Sequence, residues 1–178
     1  MAASIPMRLE RLSNRHVADL AELTEDPQVL RFTRIPEPLP AGFVRSWLDR
    51  YETGEQDGTS AGFAALDDAG AFLGIGLAVD IDRDAGEVEL GYIVAASARG
   101  RGVGSELLRR LTAWAFEALG AERVVLIIDV ENTASSRMAA RAGYVREGVM
   151  RSLFIKPGVR RDAELWSQLP SDARGERR

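Results

Sequence analysis

Apolar and polar positions follow two rhythms along this chain. One has the period of a strand. Residues 7–12 alternate and predict an edge strand, and residues 59–66 and 72–81 predict a hairpin about the turn Asp67-Asp68-Ala69-Gly70. Val88-Glu89-Leu90-Gly91-Tyr92-Ile93-Val94 is a run of β-branched and aromatic residues and predicts a further strand. Arg123–Asp129 is apolar through its length, which suits a strand covered on both faces and paired in parallel beneath helices. Residues 145–155 and 161–169 predict a closing pair about Lys156-Pro157-Gly158.

The other rhythm is helical. Val17, Leu20, Ala21 and Leu23 stripe a first helix ending near Asp26-Pro27. Phe43, Val44, Trp47, Leu48 and Tyr51 stripe a second, with Pro40 in its first turn. Val103, Leu107, Leu108, Leu111, Trp114, Ala115 and Ala118 stripe a third. Asn132 caps a fourth over residues 133–142, which Gly143 ends. Pro36, Pro38 and Pro40 predict a stiff irregular segment across residues 27–40, and residues 54–58 a polar loop. Strand, helix and strand around the third helix form a right-handed βαβ unit. The fold class is therefore α/β with a mixed sheet. Residues 1–170 are read as one domain, and residues 171–178 as a polar tail without fixed structure. The one histidine, His16, is read as a partly exposed surface residue.

The segment that joins the central strand to the third helix is Arg99-Gly100-Arg101-Gly102-Val103-Gly104-Ser105. The first N–H groups of a helix have no partner inside it, and the helix dipole adds positive potential there. Three glycines let the backbone approach a ligand closely. Together these make a phosphate cradle, with Arg99 and Arg101 adding charge of the right sign. Gly104 is followed by Ser105-Glu106, so a Walker loop is absent. The G-x-G-x-G spacing also departs from the dinucleotide fingerprint.

Composition narrows the chemistry. A net charge of −4 disfavours broad nucleic-acid binding. No apolar run approaches the ~20 residues of a membrane span. The N-terminal residues lack the basic end and apolar stretch of a signal peptide, so a cytoplasmic location is expected. Neither nucleic acid nor a membrane is expected as a partner. Cysteine is absent, which excludes disulfides, thiolate metal sites and a cysteine nucleophile, and no His/Cys cluster calls for a metal. Lysine occurs once, at Lys156.

The pattern R-x-x-G-x-G at Arg99, Gly102 and Gly104, closing a strand and opening a helix, resembles the coenzyme A loop of the GNAT superfamily of N-acyltransferases. Asn132-Thr133-Ala134-Ser135 and Gly143-Tyr144-Val145-Arg146-Glu147-Gly148, with Glu89-Leu90-Gly91-Tyr92 before the loop, are similar to its ribosomal-protein N-terminal acetyltransferase (RimJ/RimL-type) branch. The resemblance spans residues 7–169. It implies a central mixed sheet of about seven strands flanked by helices, acetyl-CoA as acyl donor and no metal. It also implies direct attack by a primary amine, with a protein N-terminal α-amine as favoured acceptor. A small amine such as an antibiotic or polyamine is the alternative acceptor. A monomer or homodimer is expected.

By that resemblance the cofactor contacts are Val94 and Ala96 on the strand's end, Arg99, Gly100, Arg101, Gly102, Val103, Gly104 and Ser105 in the loop, and Asn132 and Arg137 downstream. Glu87 and Glu89 lie two apart on one strand face. Glu89 holds the family's E-x-G-Y position and is the candidate general base, the plainer alternative being a salt-bridged face. Many relatives carry a tyrosine seven residues after the motif asparagine, as acid toward the leaving thiolate. Here that position is Ala139, and Ser135 is the replacement the resemblance suggests. Tyr144 is read as packing. Phe32 and Trp47 are read either as core or as a wall of the acceptor cleft. A non-catalytic acyl-CoA-binding module and a nucleotide-binding protein using the same loop are the competing functions.

Overall fold

The alternating segments assemble into one mixed sheet. The computed structural model describes residues 5–173. Strand β1 (Arg8–Arg11) leads into α1 (Val17–Glu25), α2 (Pro27–Phe32) and α3 (Phe43–Asp57). The antiparallel run β2 (Ala61–Leu66), β3 (Phe72–Asp82), β4 (Glu87–Val94) follows. Helix α4 (Val103–Glu117) crosses to β5 (Arg123–Asp129), parallel to β4, and α5 (Thr133–Arg141) leads to β6 (Val145–Lys156), β7 (Val159–Gln168) and the short α6 (Pro170–Ala173). The seven strands stand in the order β1-β2-β3-β4-β5-β7-β6.

Two apolar layers sandwich this sheet. Leu107, Leu108 and Leu111 of α4 are 0% exposed and pack with Val88 and Leu126. On the other side Leu20, Leu48 and Tyr51, from α1 and α3, pack on Ile75, Leu77 and Ile93. Among the described residues no helix is long and apolar enough to cross a membrane.

The ladder between β4 and β5 is short. It pairs Glu87, Val88 and Glu89 with Arg123, Val124 and Val125, and then stops. Leu90 to Val94 continue to pair with β3, and Leu126 to Asp129 with β7, so the two strands part like a V. The closed end is pinned by charge. Arg123 Nε donates to Glu87 (2.6 Å), and its other nitrogens donate to both oxygens of Glu147 on β6 (2.6 and 2.8 Å). Ser167 of β7 donates to Glu147 as well. Glu87 therefore sits in a salt bridge, the plainer of its two readings. Opposite Glu89, β3 carries a bulge between Ala78 and Asp80, a device that bends and twists a strand locally.

Several local expectations need correction. Residues 27–32 are helical: Pro27 occupies the first turn, and Asp26 accepts from the N–H groups of Gln28 (2.8 Å) and Val29 (3.4 Å) as N-cap. Helix α3 begins at Phe43, past Pro40, and runs on to Asp57, so the polar loop expected at residues 54–58 is its last turn, closed by Gly58 at φ 73°. His16 is buried, at 3% exposure; its Nδ1 accepts from Ser13 N–H (3.1 Å) and Nε2 lies 2.9 Å from a Glu10 oxygen. The expected tail begins with helix α6, and its remaining residues lie outside those described.

Two outcomes follow from these contacts. Gly74 adopts φ 150°, and a Cβ there would lie 2.2 Å from Ile93 O and 3.0 Å from Val94 Cα. Gly74→Ala should lower stability by about 1–3 kcal/mol, read as a fall in urea midpoint at unchanged m-value. Arg123, then Ser167, hold the Glu147 carboxyl at about 2, below its ordinary 4.5. A depressed carboxylate stabilises fully above its unfolded pKa and loses that contribution as pH falls. The gap in urea midpoint between the native chain and Glu147→Gln should be constant from about pH 7 to 5 and close between about pH 4.5 and 2.

Candidate functional site

The parting of β4 from β5 opens a cavity of about 370 Å³. Its walls combine the free edge of β4, Leu126 to Asp129 of β5, the cap residue Asn132 and Ser135 of α5, the segment Phe32 to Ile35, and Trp47, Arg50 and Tyr51 of α3. Phe32 and Trp47 are thus cleft walls. Of the sequence-predicted residues, Glu89, Asn132 and Ser135 meet in this cavity. Val94, Ala96 and the glycine loop lie further along, where β4 ends; from Glu89 to Val94 the strand advances roughly 16 Å.

Glu89 is held on the α3 side. Its Oε1 lies 3.2 Å from Arg34, with 20% of its side chain exposed. Burial pushes its carboxyl above the ordinary glutamate range, against the opposing pull of Arg34. A carboxylate raised in this way is a better proton acceptor than a surface one.

Tyr92 lies three residues on and so projects from the opposite side of the strand. Its hydroxyl is 2.6 Å from Ser135 Oγ. Burial raises the Tyr92 pKa, the Ser135 hydrogen bond offsetting part of the rise, and the phenol stays protonated at neutral pH. Sequence reasoning had Tyr92 only as a strand residue. Its one visible signal was odd spacing from Glu89, and the partner is 43 positions away. Ala139, where a tyrosine was expected by resemblance, is fully buried, and Tyr144 donates or accepts with Thr112 in the core (2.7 Å). A tyrosine hydroxyl thus reaches the α5 N-terminus from the strand instead.

Asn132 caps α5 as expected: its Oδ1 accepts from Ser135 N–H (3.2 Å), and the residue lines the cavity. The glycine loop opens α4. Gly102 is its left-handed N-cap (φ 82°), and the first helical bond runs from Glu106 N–H to Gly102 O. The N–H groups of Val103, Gly104 and Ser105 therefore precede the ladder and point out of the helix end. Gly100 is exposed with open space around it, and Arg101 and Ser105 are exposed beside it. Gly104 faces inward instead: a Cβ there would lie 2.8 Å from Met138 Sδ and 3.3 Å from Val94 Cγ2. Ala96 begins a one-turn 3₁₀ helix, and Arg137 is exposed on α5. Among the described residues no group of His, Cys, Asp or Glu is arranged to hold a metal.

Arg99 has a second duty. Its Nε donates to Val94 O (3.2 Å) and its Nη2 to Asp26 Oδ2 (2.5 Å). Burial works to raise the Asp26 carboxyl, yet Arg99 and two backbone N–H groups hold it below the ordinary range. One side chain thus caps α2 and ties it to the loop after β4. Lys156 Nζ donates to Leu30 O within α2 (2.7 Å) and, past the helix, to Ile35 O (3.1 Å) and the Glu37 carboxylate. The segment that carries Phe32 and Arg34 is therefore fastened at both ends.

A family model described as an acetyltransferase (GNAT) domain matches residues 7–145. A putative ribosomal N-acetyltransferase, YdaF, from Bacillus subtilis (strain 168) is 30% identical over 98 residues, covering 55% of this chain and 54% of that protein, about half the length of each. RimL, a ribosomal L7/L12 α-N-protein acetyltransferase solved with coenzyme A, superposes with a TM-score of 0.84 at 20% identity, over 94% of this chain and 96% of its own. A spermidine N-acetyltransferase from Vibrio cholerae, solved with CoA and spermine, superposes at 0.83 and 20% identity, over 94% and 97%. At these identities the two structures establish the fold.

Asp26→Ala removes both the α2 cap and the partner of Arg99. It should cost about 0.5–2 kcal/mol. Amide hydrogen exchange should accelerate in residues 26–35 and 95–101, while the α4 amides keep their protection.

Proposed function

We propose that this chain, which belongs to the GNAT acetyltransferase family, transfers an acetyl group from acetyl-CoA to the α-amine of a protein N-terminus. One observation carries the reading. A strand edge left open by the parting of β4 and β5 has a half-buried carboxylate on one side and a hydrogen-bonded phenol on the other, and it runs straight into a helix N-terminus. Acetyl-CoA fits this arrangement: its phosphates suit the N–H groups around Arg99 to Ser105, and an extended amide-bearing arm suits the free edge of Leu90 to Val94. The donor supplies an activated acetyl thioester. The protein's part is to position, to accept a proton and to donate one.

Glu89 accepts the proton of the attacking amine, directly or through one water. Tyr92, held by Ser135, donates to the leaving sulfur. The Asn132 amide steadies the chain between them. An α-amine has a pKa near ~8, so reaching its neutral form at pH 7 costs about 1.4 kcal/mol. A lysine or polyamine amine near ~10.4 costs about 4–5 kcal/mol. A carboxylate base suits the first far better. The likeness to the putative ribosomal N-acetyltransferase YdaF supports the same acceptor class.

Calorimetry with acetyl-CoA tests the cofactor half. Ser105→Glu is the informative variant: an acid in the first helical turn favours the helix dipole, so the fold is retained, but it opposes a bound phosphate. The native chain should bind at micromolar levels and the variant at least about tenfold more weakly. No binding by the folded native chain would end this reading. For catalysis, Glu89→Gln and Tyr92→Phe should each lower kcat about 10²-fold or more with acetyl-CoA affinity unchanged. Ser135→Ala added to Tyr92→Phe should lower it little further, since the two hydroxyls act as a unit.

A further inference from the structure

We infer that the acceptor carries a carboxylate within its first two residues, read by Arg34 and Arg50. This deepens the acetyl-transfer reading and rests on it.

Four charged side chains line the cavity: Arg34, Arg50, Glu89 and Asp129. Asp129 is already committed away from the opening. Its Oδ1 accepts from Glu131 N–H (2.8 Å), its Oδ2 lies 3.5 Å from Arg161, and its side chain is 7% exposed. Glu89 is paired with Arg34 at 3.2 Å. Arg50, exposed on α3, has no ion-pair partner among the described residues; its neighbour Asp49 is taken by Arg45 (3.0 Å). Within the cavity lining an incoming acceptor therefore meets two guanidinium groups and one carboxylate not held elsewhere, while Asp80 of β3, outside the lining, is close enough to act on Glu89.

Binding makes the imbalance larger. An amine that settles on Glu89 competes with Arg34 for the same carboxylate. When the amine wins, Arg34 loses its counterion while a second cation stands beside it. A polyamine adds further positive charges to that crowd and repairs nothing. An acceptor with its own carboxylate exchanges partners instead: the amine takes Glu89, and the carboxylate takes the guanidinium fork of Arg34, with Arg50 at hand. The 3.2 Å contact between Arg34 and Glu89 sets the reach, because the acceptor's two charges must lie nearly as close as the groups they replace. The side chain of an Asp or Glu at the first or second position of a peptide meets that limit.

The same contact explains how the acceptor segment is built. Arg34 is held over the cavity by a loop fastened through Asp26–Arg99 and Lys156, which gives a surface arginine a defined place.

The test uses the full chain, acetyl-CoA and matched tetrapeptides with free N-termini. They carry Asp or Glu, Asn or Gln, or Lys at the first or second position, and spermidine is run beside them. Release of coenzyme A thiol gives kcat/KM. The acidic peptides should exceed their amides by about tenfold or more, and this advantage should shrink with added salt. Arg34→Gln with Arg50→Gln should bring the ratio to within about twofold, and Arg34→Glu should turn the preference toward the Lys peptides. Equal rates for acidic and amide peptides, a ratio that ignores both arginines, or spermidine preferred over every peptide would each overturn this inference while leaving acetyl transfer standing. Absence of acetyl-CoA binding by calorimetry, or binding without turnover of any acceptor, would overturn the transfer reading and this one with it.

Discussion

Two neighbouring strands that part inside a sheet leave rows of N–H and C=O groups without partners, and burying such groups costs more than almost any other backbone choice. Here β4 and β5 do this after three residue pairs. The cost is tolerable because the gap opens into a cavity that water can reach. The rest of the chain is arranged to keep the strands together at one end and apart at the other. At the closed end Arg123 bridges Glu87 and Glu147, tying β4, β5 and β6 across the sheet. At the open end β4 is pressed onto β3 so closely that only glycine fits at position 74. Helix α5 begins where β5 leaves off, and its first turn stands in the mouth.

The segment over the mouth is held by charge rather than by apolar mass. Helix α2 has six residues, too few to persist alone, and buries only Val29. Asp26 fixes its start to the loop after β4, and Arg31 reaches Glu131 across the opening (3.0 Å). Lys156, the one lysine of the chain, is buried beneath and holds the carbonyls of Leu30 and Ile35. The exposed Arg31–Glu131 pair contributes little to global stability. The effect of these contacts is local: they set where Phe32 and Arg34 stand relative to Glu89. The two halves of the proposed site are thus connected through one carboxylate, Asp26, which touches both the acceptor segment and the loop proposed to hold the cofactor.

Residues 86–144 were the most readable part of the chain. Long periodic runs and three closely spaced glycines specify strand, loop, helix and strand, and the parallel pairing follows from handedness. The seven-strand sheet, the cap at Asn132 and the turn positions were equally legible. Elsewhere short-range rules misled. Pro27 reads as a helix stop, yet Asp26-Pro27 both ends α1 and begins α2. Gly54 reads as a loop residue, yet it lies in α3, where a Cβ would meet Ser60 Oγ at 1.9 Å. His16 is polar and solitary, and its burial depends on Glu10 six positions earlier. The contacts that define the cavity were out of reach altogether. Tyr92 with Ser135, and Arg34 with Glu89, join residues 43 and 55 positions apart, and no local pattern encodes them.

The open edge also settles a problem of geometry. Side chains alternate across a strand, so residues separated by an odd number face opposite sides of the sheet. Glu89 and Tyr92 are three apart: the carboxylate stands among the residues that face α3, and the phenol meets α5. A closed sheet would lie between them as a wall, and no single reacting carbon could touch both. Where β4 loses its neighbour, the strand's edge is the one line from which both faces are reachable. In the proposed reading, a group laid along that edge has the Glu89 carboxylate on one side and the Tyr92 phenol on the other. The proposed transfer passes through a tetrahedral carbon that bears both the amine nitrogen and the sulfur; one proton leaves the nitrogen and another reaches the departing sulfur, so groups reaching that carbon from two faces can serve the two transfers. Moving Tyr92 by one position would place both groups on the same face. The parting of two strands and the odd spacing of two residues on one of them are therefore parts of a single arrangement.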